Sequence, residues 1–209
     1  MNLVVLGANG RTGTHVLRLA LERGETVTAV VRSEAKRPKL QHKRLRVVVG
    51  DPCDPAFLAD AFRGQDAVIS TLGGRMPTKR ATSVYPDSAD AIVQAAWESG
   101  LKRVVVTSTA LLFPARRWRD AMLAALVGNV VKSATRMERS LAASNLNVTV
   151  ARCGFLTDDE HATYRALEDT LPVNGSSVSR AALATFLIHT VLRQGSGYRV
   201  YGVSSLPKE

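Results

Sequence analysis

Residues 4–24, "VVLGANGRTGTHVLRLALERG", decide how the rest of the chain is read. An apolar run stops at Gly7, two more glycines follow at Gly10 and Gly13, and a helical pattern then takes over. The first glycine permits a sharp turn off a strand. The second lets the backbone approach a ligand where a side chain would collide, and the third lets the new helix pack closely on the sheet. The first turn of that helix presents free N–H groups and the positive end of its dipole, which suits a pyrophosphate. A G-x-x-G-x-x-G spacing between strand and helix, with a second strand about 20 residues on, predicts a dinucleotide site. Gly7, Asn9, Gly10, Arg11, Thr12 and Gly13 form its expected loop.

Outward from this stretch, valine-rich runs recur with helical patterns between them. Strands are predicted at 3–6, 27–31, 45–49, 67–70, 103–107 and 148–151, with a late strand at 198–201 at an edge. Helices are predicted at 12–23, 55–62, 83–99, 121–144 and 179–192, with Ser179 as the N-cap of the last. Short buried strands alternating with helices mark a parallel sheet covered on both faces. The expected fold is therefore α/β, a doubly wound parallel sheet of Rossmann type. With no repeat, linker or domain break, residues 1–209 read as one domain, with small insertions near 112–130 and 154–178 on the substrate side.

Composition narrows the class. The 209 residues are 45% hydrophobic, enough for a sizeable core, yet no apolar run approaches the length of a membrane span. No basic region precedes the first strand, so no secretory leader is expected. Cys53 and Cys153 lack metal spacing and read as reduced thiols of a cytoplasmic protein; no metal site is expected. The net charge of +10 suits anionic partners without choosing among them. Neither zinc-finger spacing nor an RNA-binding aromatic signature is present, so nucleic acid is the least favoured partner.

The end of the second predicted strand selects the coenzyme. An enzyme preferring NAD commonly carries Asp or Glu there, to hold the ribose hydroxyls. Here Arg32 and Ser33 stand in that place. A guanidinium holds a 2′-phosphate by charge-assisted hydrogen bonds, and a carboxylate repels it, so NADP(H) is expected. Arg11 can reach the same phosphate or the pyrophosphate. Asp51 and Pro52, after the third strand, are candidates for the adenine end, although Asp51 can equally cap the following helix, where Asp54 is better placed. Leu72, Gly73, Gly74 and Arg75, after the fourth, would pass the second ribose.

Taken in order, "VVLGANGRTG", "VVRS", "VVVGDPCD", "GQDAVISTLGGR", "KRVVVTSTALLF" and "TRMERSLAASNLNVTVARCGFLTDD" resemble the atypical short-chain dehydrogenase/reductase family. The branch most similar is the biliverdin-IXβ reductase/flavin reductase type, with NmrA-like proteins as relatives. The resemblance implies a Rossmann domain that binds NADPH and a shallow site where an acceptor lies over the nicotinamide. It also implies reduction of flavins, and in some members of biliverdins or quinones.

The better-known members of the wider superfamily use a Tyr-x-x-x-Lys pair to protonate a carbonyl oxygen. Tyr85 is followed four places on by Ala89 and Tyr164 by Glu168, so neither fits. A flat conjugated acceptor relaxes that need: hydride enters an electron-poor ring, and the protein's main task is to hold two planar partners together. Thr107, Ser108 and Thr109 leave the fifth strand beside the expected nicotinamide, with Ser108 and Thr109 as the candidate catalytic hydroxyls. The resembling family has a serine that aligns with Thr109, one place after Ser108. Cys153, Gly154 and Phe155 stand where that family has a Pro-Pro-His-like segment, which implies a changed pocket; Phe155 can stack on a flat acceptor or, as an aromatic after a strand, belong to the core. Phe113, Arg116, Arg117 and Trp118 open a candidate flap that suits an anionic planar acceptor, with a membrane-surface or partner-binding patch as the rival reading. Residues 121–131 are apolar nearly all round, so they are buried, a lid or an interface. The reading is an NADPH-dependent reductase of a flavin, tetrapyrrole or quinone, a monomer or weak homo-oligomer. The alternative is a non-catalytic NADP(H)-sensing regulator of NmrA type.

Overall fold

Leu3, Val4, Val5 and Leu6 are all fully buried, and they alternate between two cores. Leu3 and Val5 join one with Val16, Leu17 and Leu187; Val4 and Leu6 join the other with Leu58, Phe62 and Ile92. A strand apolar on both sides must sit mid-sheet between helical layers, and this one does. The computed structural model describes residues 1–74, 76–114, 122–123, 125–193 and 195–206.

Strands β1 (Asn2–Leu6), β2 (Thr26–Val31), β3 (Leu45–Val49), β4 (Ala67–Ser70), β5 (Arg103–Thr109), β6 (Asn147–Cys153), β8 (Tyr164–Glu168) and β10 (Tyr198–Ser205) form one sheet in the order β3-β2-β1-β4-β5-β6-β10-β8. Every pairing in it is parallel except β10 with β8. The chain winds outward from β1 in both directions, so the order reverses between β1 and β4. The crevice beyond their carboxyl ends is the place where doubly wound sheets bind ligands.

Helices α1 (Arg11–Glu22) and α6 (Arg180–Leu192) cover one face; α2 (Pro55–Phe62), α4 (Val84–Ser99) and α5 (Gly128–Ala142) cover the other, with the short α3 (Lys79–Thr82) beside α5. α1 buries Val16, Leu17, Ala20 and Leu21, one stripe at helical spacing. Asp54 starts α2 by accepting from the amides of Ala56 (3.0 Å) and Phe57 (3.3 Å), with Pro55 in the first turn. Ser179 caps α6 by accepting from the Ala182 amide at 2.9 Å, as its position in the sequence predicts.

Three features differ from the sequence reading. The late strand is longer than expected and is not the edge, because β8 pairs outside it. Tyr164 and Ala166 of β8 pack on the α6 side, which anchors a strand that a short, mixed pattern does not announce. A separate ribbon pairs β7 (Phe155–Thr157) with β9 (Ser177–Ser179). The helix expected at 121–144 is continuous over α5; Met122, Leu123, Ala125 and Leu126 before it are also helical, and Val127, out of helical geometry, interrupts the run. Met122 and Leu126 are 60% and 81% exposed, so these two side chains are not core. No helix among the described residues is long and apolar enough to cross a membrane.

Candidate coenzyme and acceptor site

The turn after β1 is built by its glycines. Gly7 has φ +77°, and a Cβ there would lie 2.9 Å from Thr71 Oγ1. A Cβ on Gly13 would lie 2.2 Å from the Gly7 carbonyl oxygen, so α1 packs on β1 only with glycine at that position. The Gly10 amide donates to the Gly7 carbonyl at 2.9 Å and closes the turn. Gly10 is also the N-cap of α1, and no side chain caps the helix; its first turn holds no acidic residue. The amides at its start therefore face the crevice with the dipole's positive end uncompensated, a cradle for phosphate.

Arg32 and Ser33 follow β2 directly, next to this turn, and both are exposed. Asp51 and Pro52 follow β3, whose last residue pairs with Val31. The Asp51 carboxylate accepts from the Cys53 amide at 3.0 Å, whereas Asp54 takes the cap of α2. Arg32 thus stands beside a loop that carries two carboxylates, Asp51 and Asp54, and its charge is felt at Cys53. Arg11 donates to Asp158 at 2.8 Å; the other oxygen of Asp158 accepts from Arg180 at 2.7 Å. This pair ties the glycine turn to the start of α6. Arg11 and Asp158 are both largely exposed, so the link is weak in free energy and Arg11 can exchange it for a phosphate.

The glycines after β4 have a reason of their own. A Cβ on Gly74 would lie 2.7 Å from the Ala81 carbonyl oxygen, and one on Gly73 would lie 3.3 Å from the Tyr85 hydroxyl. Leu72, half-buried, packs against the α2–α4 core. Arg75, Arg116, Arg117 and Trp118 lie outside the described residues.

The carboxyl ends of β5 and β6 lie side by side, with Thr109 opposite Cys153 and Ser108 opposite Arg152. Thr109 accepts from the Leu111 amide at 3.3 Å and is half-buried. Thr107 is half-buried and contacts the Ser70 carbonyl at 3.5 Å. Ser108 differs from the sequence reading: it is buried, and its hydroxyl donates to Glu138 Oε1 at 2.6 Å. On a pleated strand, consecutive side chains face opposite ways, so Ser108 turns into the α5 layer while Thr109 faces the other side.

Glu138 is the centre of a network that the linear sequence does not announce. Arg152 donates to both its oxygens, with Nη2 at 2.7 Å from Oε2, and Tyr198 donates to Oε2 at 3.2 Å. Arg152 also donates to the Leu112 carbonyl at 3.2 Å and lies 4.8 Å over the Phe113 ring. It therefore fixes the start of the segment after β5. One signal was readable: a glutamate on the inner face of a helix requires a cation.

Cys153 is buried, and its thiol contacts the Ser108 carbonyl at 3.2 Å. Burial pushes this thiol up to about 12. Burial and then Asp51 raise Cys53 to about 11, and burial and then Glu138 raise Tyr198. A raised value in the folded chain means protons held more tightly than in the unfolded one. Stability is thus full below about 9, the ordinary thiol value, and is lost as pH rises from there toward 12. Melting temperature is expected to fall progressively above pH 9, and more gently in Cys153→Ala; an identical slope in that variant would refute this assignment. Neither thiol is activated as a nucleophile.

Gly154 is needed by the fold, since a Cβ there would lie 2.1 Å from the Ser176 carbonyl oxygen. The next residue, Phe155, is 65% exposed at the carboxyl end of the sheet. The α1 start thus offers uncapped amides, and an exposed aromatic ring follows β6 at the same end of the sheet.

The sequence pattern of the NAD(P)H-binding family matches residues 7–194, starting at the first glycine of the turn. The chain belongs to that family. Its NAD(P)H-binding domain resembles several solved structures. The anaerobillin reductase ChuY from Escherichia coli O157:H7 superposes with a TM-score of 0.81 at 23% identity, covering 100% of this chain and 99% of that one. A short-chain dehydrogenase/reductase from Veillonella parvula, solved in complex with NADP, gives 0.77 at 22% identity, covering 98% and 94%. Among curated sequences, the photosystem II assembly factor Ycf39 of Synechocystis is 31% identical over 75% of this chain and 45% of its own length. The family is thus one of NAD(P)H-binding domains, and the solved structures share its Rossmann fold.

Proposed function

We propose that this NAD(P)H-binding protein is an NADPH-dependent reductase that passes hydride to a flat conjugated acceptor: a flavin, a linear tetrapyrrole or a quinone. The observation that carries the reading is an uncapped helix start beside Arg32 and an exposed Phe155 after β6, at the same end of the sheet. The α1 amides, with Asn9, Arg11 and Thr12, hold the diphosphate, and Arg32 with Ser33 holds the 2′-phosphate. Asp51 and Pro52 flank the adenine; Leu72 to Gly74 and Thr107 flank the nicotinamide half. When bound, the coenzyme supplies the hydride. The likeness to an anaerobillin reductase and to an NADP complex supports both assignments.

In this reading Thr109, not Ser108, presents a hydroxyl to the acceptor. Ser108 acts through Glu138 as a support for β5, and Cys153 and Gly154 contribute backbone. The absence of a Tyr-x-x-x-Lys pair is compatible with an acceptor whose ring takes the charge. Two free cysteines suit the cytoplasm.

The test follows NADPH oxidation at 340 nm with flavin, biliverdin and quinone panels, against NADH. Turnover with at least one flat acceptor is expected. Tight NADPH binding with no turnover on any of them would favour the sensing regulator, a reading supported by the burial of Ser108. Phe155→Ala is expected to lower kcat/KM for the acceptor about fivefold, the loss of one stacking contact of about 1 kcal/mol, with the melting temperature unchanged because the ring is exposed. Unchanged kinetics on every flat acceptor would remove Phe155 from the site.

A further inference from the structure

The amino ends of the strands carry a cavity that coenzyme chemistry does not use. It encloses about 320 Å³ between the first residues of β5, β6 and β10, the strand β8, and the last turn of α6. That size falls in the range of small-ligand sites. β5 enters the cavity at Arg103 and reaches the coenzyme end at Thr109, six steps or about 20 Å away.

Its walls are cationic. Arg103, Arg193 and Arg199 line it, and no Asp or Glu does among the described residues. Arg103 donates to the Val191 carbonyl at 2.8 Å, and neither it nor Arg193 has an ion-pair partner among the described residues. Glu168 balances Arg199 in part and accepts from Tyr201 at 3.4 Å. Arg23 stands behind the wall, with Nη2 at 2.7 Å from His189 Nε2. The lining thus carries more positive than negative charge, which an anion would offset.

The floor is aromatic and held in place. Phe186 meets Tyr164 edge-on at 5.4 Å and Tyr201 at 5.7 Å. The hydrogen bonding of His189 then aims a donor. Arg23 only donates, so Nε2 of His189 accepts, and its proton is on Nδ1. Nδ1 lies 3.1 Å from the Tyr164 hydroxyl and donates to it. The Tyr164 O–H proton is left for a further acceptor, and Tyr164 lines the cavity. Burial first, then the charges of Arg23 and Arg193, push the His189 pKa down.

We infer that this cavity is a second ligand site, for an oxyanion carried on an aromatic ring. The anion meets Arg193, Arg199 and the Tyr164 hydroxyl, and the ring lies on the Tyr164–Phe186–Tyr201 floor. Because it is remote from the glycine turn, its occupant is neither coenzyme nor hydride acceptor. The inference does not depend on the proposed reductase activity.

Calorimetry with the full chain tests it, using phenyl phosphate and benzoate as probes and inorganic phosphate and phenol as controls. At least one ring-borne anion is expected to bind one-to-one, at least tenfold more tightly than either control; which one tells phosphate from carboxylate. The double variant Arg193→Ser/Arg199→Ser is expected to lose at least tenfold, and Tyr164→Phe about threefold to tenfold. Both substituted arginines are exposed, and an unchanged melting temperature confirms an intact fold. Arg32→Glu should leave probe binding untouched, which separates this site from the coenzyme end. The His189 ring resonances should report a higher pKa with the probe bound, because the anion offsets Arg23 and Arg193. Binding no tighter than the controls, insensitivity to the double variant, or displacement of the probe by NADPH would each overturn the inference.

Discussion

Arg32→Glu is expected to cut kcat/KM with NADPH by about a hundredfold or more, some 3 kcal/mol, while the rate with NADH changes less than about threefold. The effect has two parts. A bidentate, charge-assisted contact to the 2′-phosphate is lost, and a carboxylate is set against a phosphate dianion. NADH lacks that phosphate, and a carboxylate at this place suits its ribose hydroxyls. Since Arg32 is exposed, NADPH preference in the unsubstituted protein should also weaken as salt rises. The measurement is a pair of coenzyme titrations at fixed acceptor. NADPH preference that persists in the variant would take the 2′-phosphate away from Arg32.

Glu138→Ala is expected to be the most destabilising single change within the network, about 4 kcal/mol, or a fall in melting temperature of about 8–16 °C. The carboxylate and the Arg152 guanidinium are both largely withdrawn from water, at 6% and 18% side-chain exposure. Removing the carboxylate leaves Arg152 with the Leu112 carbonyl and the Phe113 ring, and leaves the Ser108 and Tyr198 hydroxyls without their acceptor. Glu138→Gln should cost less, because the amide oxygen still accepts from two of the three donors. Thermal melts of the two variants decide it. A loss of less than about 1 kcal/mol in Glu138→Ala would mean that Arg152 finds water or another acceptor.

The parallel strands were legible because burial on both faces writes itself as unbroken valine and leucine runs, such as "LVVL" at 3–6 and "RVVVTS" at 103–108. The caps were legible where chemistry is local, as at Asp54-Pro55 and Ser179. β8 was not, because "YRALE" carries no strong period and owes its strand form to the edge that β10 offers. The ribbon of β7 and β9 joins residues some 20 apart in sequence, through pairs such as Phe155 with Ser177. No local pattern encodes such a pairing. The segment at 121–131 is apolar in sequence, yet Leu126 faces solvent, since composition alone does not name a neighbour.

Sequence by itself determined the doubly wound fold, the glycine turn and the positive residue after β2, because each depends on neighbours a few positions away. Only tertiary structure decided that Ser108 is bound to Glu138 while Thr109 faces the other side of β5, and that Arg11 meets Asp158 across the crevice. It alone brought Arg103, Arg193 and Arg199 to one cavity. Those outcomes rest on contacts between residues tens of positions or more apart, and on the pleat that sends adjacent side chains to opposite faces. Distance along the chain carries no record of either.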